Sequence, residues 1–314
     1  MNLLVSMPGW DSAPWAERLA VLLPDRKIVL GDRPYDPASI HYAATWKHPA
    51  NSLAGLKNLR VLFSFGAGVD HMFRDPGLPN VPLVRVNDAD LRDRMSEYVV
   101  LHVLLYHRQQ RMYDYLQHEK RWEDDAFQPA AKDVRVGVMG LGVLGSDAAR
   151  KLAVMGFDVA GWSRTPKELE GIDCFAGAQD LDAFLARTDI LVALLPSTPQ
   201  TKGILNASLF GKLARDGRLG GPYVINVGRG ALQVETDILA ALDAGILRGA
   251  TLDVFQTEPL PADSPLWHHP AVTVTPHNSS VSEPAAVARY IAEQIKAFER
   301  GEPLANVVER ARGY

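Results

Sequence analysis

The 314-residue sequence contains a single cysteine, Cys174. One thiol excludes an internal disulfide framework, and no cysteine–histidine group has the spacing of a zinc site, so no metal is expected. A reducing, cytoplasmic setting fits. No run of about 18 apolar residues occurs, which excludes an ordinary membrane-spanning helix. The opening "MNLLVSMPGW" lacks the basic start and long apolar core of a secretory leader, and reads as a first strand. Excess basic charge is also missing. Thirty-three Lys and Arg stand against 37 Asp and Glu, a net charge of −4, so nothing global argues for a nucleic-acid partner. There is no repeat of short period and no low-complexity tract.

What remains is an ordinary globular composition, with 47% hydrophobic and 22% charged residues. The length exceeds one simple core and predicts two domains. Short apolar runs alternate with helical patterns: "NLLVS", "KIVL", "IHYAATW", "LRVLFSF" and "VPLVRV" read as strands. "DSAPWAERLAVLLP" reads as a helix, with polar starters, an early Pro14 and a stop at Pro24. A long helix is predicted from about Asp93 to Tyr115, with Val99, Val103, Leu104 and Tyr106 at helical spacing. Beyond it, "DVRVGVMG", "FDVAGW", "DILVALLP", "PYVINVG", "GATLDVF" and "AVTVTP" alternate with the helical patterns "VLGSDAARKLAVMG", "LDAFLART" and "TDILAALDAG". A closing helix, "EPAAVARYIAEQIKAFERG", stops at Gly301. This rhythm predicts an α/β fold: two Rossmann-like, doubly wound parallel-sheet domains with an active-site cleft between them. The expected division is a first domain over residues 1–98, completed by 280–314, and a nucleotide domain over 99–279.

"VRVGVMGLGVLGSDAARKLAVMG" carries Gly140-x-Gly142-x-x-Gly145 between a strand and a helix. In that context the pattern is a dinucleotide fingerprint. Gly140 permits the tight turn, Gly142 lets a pyrophosphate approach the backbone, and Gly145 lets the helix pack close to the strand. The backbone of Gly140, Gly142, Val143, Leu144 and Gly145 is therefore expected at the cofactor, on the positive end of the helix. About 20 residues on, a carboxylate would select NAD by bonding the ribose 2′-hydroxyl. The sequence there reads "GWSRTPK", and Asp158 comes too early to serve. Ser163, Arg164, Thr165 and Lys167 instead suit a 2′-phosphate, and predict NADP(H) preference with NAD(H) still possible. The alternative is a solvated basic loop.

Three further segments end predicted strands in polar residues: Arg229 in "VINVGRGAL", Asp253 and Glu258 in "TLDVFQTEPL", and His277 in "VTVTPHNSS". In an open parallel sheet ligands bind beyond the carboxyl ends of the strands. The chemistry is coherent. Arg229 can hold a carboxylate and polarise a carbonyl, and His277 can give or take a proton. Glu258, bonded to the other ring nitrogen, would fix the tautomer and favour imidazolium.

Taken with "GAGVDH", "GLGVLG", "LLPSTPQTKGIL", "ATLDVFQTEPLP" and "SPLWHHPAVTVTPHNSS", these blocks resemble the D-isomer-specific 2-hydroxyacid dehydrogenases over nearly the whole chain. The resemblance implies that Arg229, Glu258 and His277 are the catalytic trio. It implies that the turn Gly66, Ala67, Gly68 and Val69 offers backbone N–H groups to a substrate carboxylate. It adds cofactor contacts at Met95, Leu195, Pro196, Thr201, Val227, Gly228, Arg229, Asp253 and His277, closure of the two domains around the site, and a homodimer built on the long helix. "TWKHP", "SFGAGVDHMF" and "GWSRTPK" look most like the glyoxylate and hydroxypyruvate reductase branch, in which Trp46 would wall a small pocket for a small 2-oxo or 2-hydroxy acid. Asn278 departs from the family's commoner small or apolar residue after the histidine. The alternatives are another D-2-hydroxyacid dehydrogenase with a different or bulkier substrate, a formate dehydrogenase, which Glu258 argues against, and a non-enzymatic nicotinamide-sensing protein like the family's corepressors. The intact trio favours an enzyme.

Overall fold

The protein, described by a computed structural model over residues 1–125, 128–281 and 283–312, divides into two units. Met1–Leu91 and Val281–Tyr314 form the first, Arg92–Ser280 the second. Ser282, Gly313 and Tyr314, inside the expected return of residues 280–314, lie outside the described residues.

The first unit opens with β1 (Asn2–Ser6), α1 (Ala13–Leu22), β2 (Ile28–Leu30), β3 (Ile40–Thr45), β4 (Val61–Ser64) and β5 (Leu83–Arg85). Its five strands pair in the order β2-β1-β3-β4-β5, all parallel. Both faces are covered, so the strands are apolar on both sides. Leu3 and Val5 point to one core, Leu4 to the other.

The predicted long helix begins earlier than expected and is broken. It forms α2 (Ala89–His107) and α3 (Gln110–His118), with Gln109 in the left-handed region at φ 55° between them. No glycine or proline marks the break. The structure holds it instead through the Gln109 side chain, whose Nε2 donates to Asp125 at 2.6 Å. Met95, Tyr98, Val99, Val103 and Tyr106 form the buried stripe of α2.

The second unit continues with β6 (Arg135–Met139), α4 (Val143–Val154), β7 (Asp158–Ser163), β8 (Asp173–Ala176), α5 (Leu181–Ala186), β9 (Ile190–Ala193), α6 (Ala207–Phe210), β10 (Tyr223–Asn226), α7 (Glu235–Asp243), β11 (Gly249–Leu252) and β12 (Val272–Val274). The order is β12-β11-β10-β9-β6-β7-β8, again all parallel. Strand order reverses between β6 and β9, and such a switch point opens a crevice at the carboxyl ends of the strands. α2 and α4 cover one face; α5, α6 and α7 cover the other.

The closing helix α8 (Pro284–Glu299) belongs to the first unit. Glu283 caps it by accepting the Ala286 N–H at 2.7 Å. Val287, Ala288, Ile291, Ala292 and Ile295 recur at helical spacing and pack on the sheet beside α1. At the far end Glu299 accepts two hydrogen bonds from Arg26, at 2.9 and 3.1 Å, and one from the Tyr42 hydroxyl at 2.9 Å. Among the described residues no helix is long and apolar enough to cross a membrane.

Candidate active site

The fingerprint glycines sit where β6 turns into α4. Gly140 has φ 108°, open to glycine and strained for other residues. A side chain there would also meet the Leu194 carbonyl carbon at 2.9 Å, because the end of β9 lies alongside across the switch point. Gly145 packs its α-carbon directly against the Gly140 carbonyl, so a methyl group could not be inserted. Beyond Gly142, by contrast, nothing lies within 4 Å of where a side chain would begin. No side chain caps the α4 N-terminus, and Val143 is exposed there. Free N–H groups, a helix dipole and open space together suit a pyrophosphate, so the residues present fit a dinucleotide.

At the end of β7, Arg164, Thr165 and Lys167 are exposed. Ser163 is buried, and its hydroxyl donates to the Thr165 carbonyl at 2.7 Å. That proton, read from the sequence as a donor for a 2′-phosphate, serves the turn that presents Arg164. Asp158, at the opposite end of β7, pairs with Arg187. After β9, Leu195 is buried and the "PSTPQT" loop is tied by Thr201, whose hydroxyl donates to the Pro196 carbonyl at 2.6 Å. Met95 is buried in the stripe of α2.

His277 Nδ1 lies 2.9 Å from Glu258 Oε2. The other Glu258 oxygen accepts the Phe255 N–H at 3.2 Å. The imidazole is about one-third exposed, its side chain at 35%. Its backbone sits at φ 54°, in the left-handed region. Asp253 is fully buried behind it, and its carbonyl accepts the His277 N–H at 2.8 Å. Burial pushes the nearby His102 imidazole down, with the Asp253 charge opposing, and pushes the Tyr98 phenol up.

Arg229 follows β10 in an extended conformation, and its Nη1 donates to the Gly228 carbonyl at 2.7 Å. Two residues not singled out from the sequence hold this loop. Asn226, fully buried, donates to the Arg229 carbonyl at 3.1 Å and to Gln233 Oε1 at 2.7 Å, and its own oxygen accepts the Gly228 N–H at 3.1 Å. Gln233, also fully buried, donates to the Val254 carbonyl at 3.0 Å. An asparagine closing an apolar strand was the available signal, since a buried amide must find partners. Gly230 packs directly against the Phe255 carbonyl; Val227 and Gly228 are buried, and Gly228 lies against the Leu195 backbone. The Arg229 loop and the segment leading to Glu258 are thus one packed structure.

In the first unit, Gly66, Ala67 and Gly68 are partly exposed after β4, while the Val69 side chain is buried. The Trp46 ring lies against Gly66, where a side chain would come within 2.6 Å of it. The ring meets His71 edge-on, centroids 4.5 Å apart. Among the described residues no group of three His, Cys, Asp or Glu side chains is placed to hold a metal ion.

Residues 100–279 match the family described as D-isomer specific 2-hydroxyacid dehydrogenase, NAD binding domain. The chain is 42% identical to glyoxylate/hydroxypyruvate reductase A of Escherichia fergusonii, over the full length of both. The structure of an NADPH-dependent glyoxylate/hydroxypyruvate reductase from Sinorhizobium meliloti, in complex with NADP and sulfate, matches with a TM-score of 0.95 at 48% identity, covering 100% of this chain and 99% of that one. A probable 2-hydroxyacid dehydrogenase from Rhizobium etli, in complex with NADP, HEPES and L(+)-tartaric acid, matches with a TM-score of 0.93 at 47% identity, again over 100% and 99% of the two chains.

Proposed function

The chain belongs to the D-isomer specific 2-hydroxyacid dehydrogenase family, and from that premise we propose that it is an NADPH-preferring reductase of small 2-oxo acids. Glyoxylate would give glycolate, and hydroxypyruvate would give D-glycerate. The observation that carries the reading is the 2.9 Å pair of His277 and Glu258, beside a loop that presents Arg229.

Each residue has a definite task. Nδ1–H of His277 donates to Glu258, which leaves Nε2 to face the substrate as the proton carrier. A nicotinamide cofactor held at the α4 N-terminus would supply the hydride. Nε2–H of the imidazolium gives its proton to the carbonyl oxygen, so hydride and proton together make the alcohol. Glu258 stabilises the imidazolium before that transfer. Arg229 grips the substrate carboxylate with its planar fork and polarises the carbonyl. Within the first unit, the turn Gly66–Val69 would offer N–H groups to a carboxylate, and Trp46, packed on Gly66, would limit substrate size.

The α4 N-terminus, with Gly140, Gly142, Val143, Leu144 and Gly145, would receive the pyrophosphate. Arg164 and Lys167 would read the 2′-phosphate, with Ser163 and Thr165 shaping their turn. Met95, Leu195, Pro196, Thr201, Val227, Gly228 and Asp253 complete the proposed cofactor surroundings. The similar reductase from Sinorhizobium meliloti, named as NADPH-dependent, supports this preference.

A cytoplasmic homodimer is part of the proposal. The lone thiol fits a reducing compartment. Leu101 on α2, Tyr115 on α3 and Trp122 just beyond each leave more than half their surface exposed, apolar area that a second copy would cover. Light scattering on the purified protein checks the assembly. The function is tested by the loss of reduced-nicotinamide absorbance with and without glyoxylate or hydroxypyruvate. Substrate-dependent oxidation of NADPH supports the reading; tight NADPH binding with no oxidation by either acid refutes it.

A further inference from the structure

Asp253 is fully buried, and a carboxylate in that position needs several donors. Oδ1 accepts from the Thr275 hydroxyl at 2.7 Å and from the Asn278 N–H at 2.9 Å. Oδ2 accepts the Ser279 N–H at 3.0 Å. With the His277 N–H on its carbonyl, this one residue ties down the chain on both sides of the imidazole.

The network continues outward. Thr275 Oγ1 lies 2.6 Å from the Tyr98 hydroxyl on α2. A threonine hydroxyl carries a single proton, and here that proton goes to the carboxylate. Thr275 must therefore accept from Tyr98. The direction is fixed: Tyr98 donates to Thr275, and Thr275 donates to Asp253. The Tyr98 ring is held in turn by His102, one helical turn on, with centroids 4.2 Å apart. His277 needs such support, because a non-glycine residue at φ 54° is strained unless its surroundings over-determine it.

We propose that Tyr98 and Thr275 are positioning residues for the reduction, acting through Asp253 to hold the backbone of residues 277–279 and so to aim the His277 imidazole. This rests on the proposed role of His277 as proton donor. It gives Asp253 a structural task beside its proposed place near the cofactor, since both its oxygens accept hydrogen bonds from the protein. The Thr275 carbonyl also accepts the His277 N–H, at 3.1 Å. Among the described residues no hydrogen bond joins the Tyr98 or Thr275 hydroxyl to Glu258 or to the His277 ring, so the effect of removing either hydroxyl reaches the imidazole through the backbone.

The test uses the full chain with Tyr98→Phe, Thr275→Val and Thr275→Ser. Amide exchange at Asn278 and Ser279 is read without ligand; kcat for glyoxylate and the Kd for NADPH are then measured. Tyr98→Phe and Thr275→Val should each speed exchange at those two amides about tenfold, the effect of losing one buried hydrogen bond. Both should lower kcat by about the same factor and leave the NADPH Kd unchanged, because the loss falls on geometry of the transferring group. Thr275→Ser keeps the hydroxyl and should restore both readings. Unchanged exchange in Tyr98→Phe and Thr275→Val overturns the inference. So does faster exchange with unchanged kcat, or acceleration spread evenly over the seven-stranded sheet. If the wild type reduces no 2-oxo acid, the functional reading fails, while the exchange data still decide whether the relay holds the loop.

Discussion

Nδ1 of His277 and Oε2 of Glu258 stand 2.9 Å apart, and the second Glu258 oxygen is anchored by the Phe255 N–H at 3.2 Å. The carboxylate is thus aimed at the ring by the backbone that follows β11. Glu258→Gln keeps a hydrogen-bonding group of the same shape and removes the charge. It should lower kcat roughly 10- to 100-fold with NADPH affinity unchanged, since a hydrogen bond to a charged group contributes about 1.5–3 kcal/mol. His277→Ala should cost more, on the order of 10²–10⁴ in kcat. Steady-state kinetics and nucleotide binding check both; wild-type turnover in His277→Ala would remove it from the mechanism.

Arg229→Lys keeps the charge and loses the planar, multi-donor fork. The loop itself is held by Asn226 and Gln233 and should not move. The expected result is a rise in KM for the oxo acid and a fall in kcat, together roughly 10- to 100-fold in kcat/KM. If both constants stay near wild type, the carboxylate is gripped elsewhere.

Gly66→Ala introduces a methyl group 2.6 Å from the Trp46 ring, which is itself packed on His71. A rigid ring cannot yield cheaply, so overpacking should cost roughly 1–3 kcal/mol. A lowered melting temperature together with a raised KM for glyoxylate is expected. An unchanged KM would separate this turn from substrate binding.

The Arg26 guanidinium holds the Glu299 carboxyl below its ordinary range, and the Tyr42 hydroxyl adds to the effect. A depressed carboxylate contributes stability that is fully present above its unfolded value, near 4.5, and is lost as pH falls through the lower folded value. Glu299→Gln should therefore destabilise the first unit by roughly 1–2 kcal/mol at neutral pH, and the deficit should vanish on acidification. Denaturant melts at several pH values read this directly. A deficit independent of pH would mean that the charge plays no part.

Most of the fold was legible because its strands are buried on both faces. "VGVM" of β6 and "ILVA" of β9 are short apolar runs bounded by turn residues, and such runs have few other uses in a chain with helical patterns between them. The strand β8 was missed, because "DCFA" at the sheet edge is only partly buried and carries no such run. The break between α2 and α3 was also missed, because a glutamine in the left-handed region, held by Asp125, leaves no mark in composition. At the candidate site, residue types at strand ends could be read from the sequence. The pairing of His277 with Glu258 could be anticipated as chemistry, but its distance could not. The bracing of the His277 loop by Tyr98 was invisible, since 177 residues separate Tyr98 from Thr275.

The central claim is that this chain reduces small 2-oxo acids with NADPH, reading the extra phosphate through Arg164. The most direct measurement is kcat/KM for glyoxylate and hydroxypyruvate with NADPH and with NADH, in the wild type and in Arg164→Ala. The account predicts a clear NADPH preference in the wild type. In Arg164→Ala it predicts a loss of roughly 10- to 100-fold with NADPH, from removal of a charge-assisted contact, and nearly unchanged values with NADH. Equal or better wild-type turnover with NADH, or equal losses with both cofactors in the variant, would contradict it.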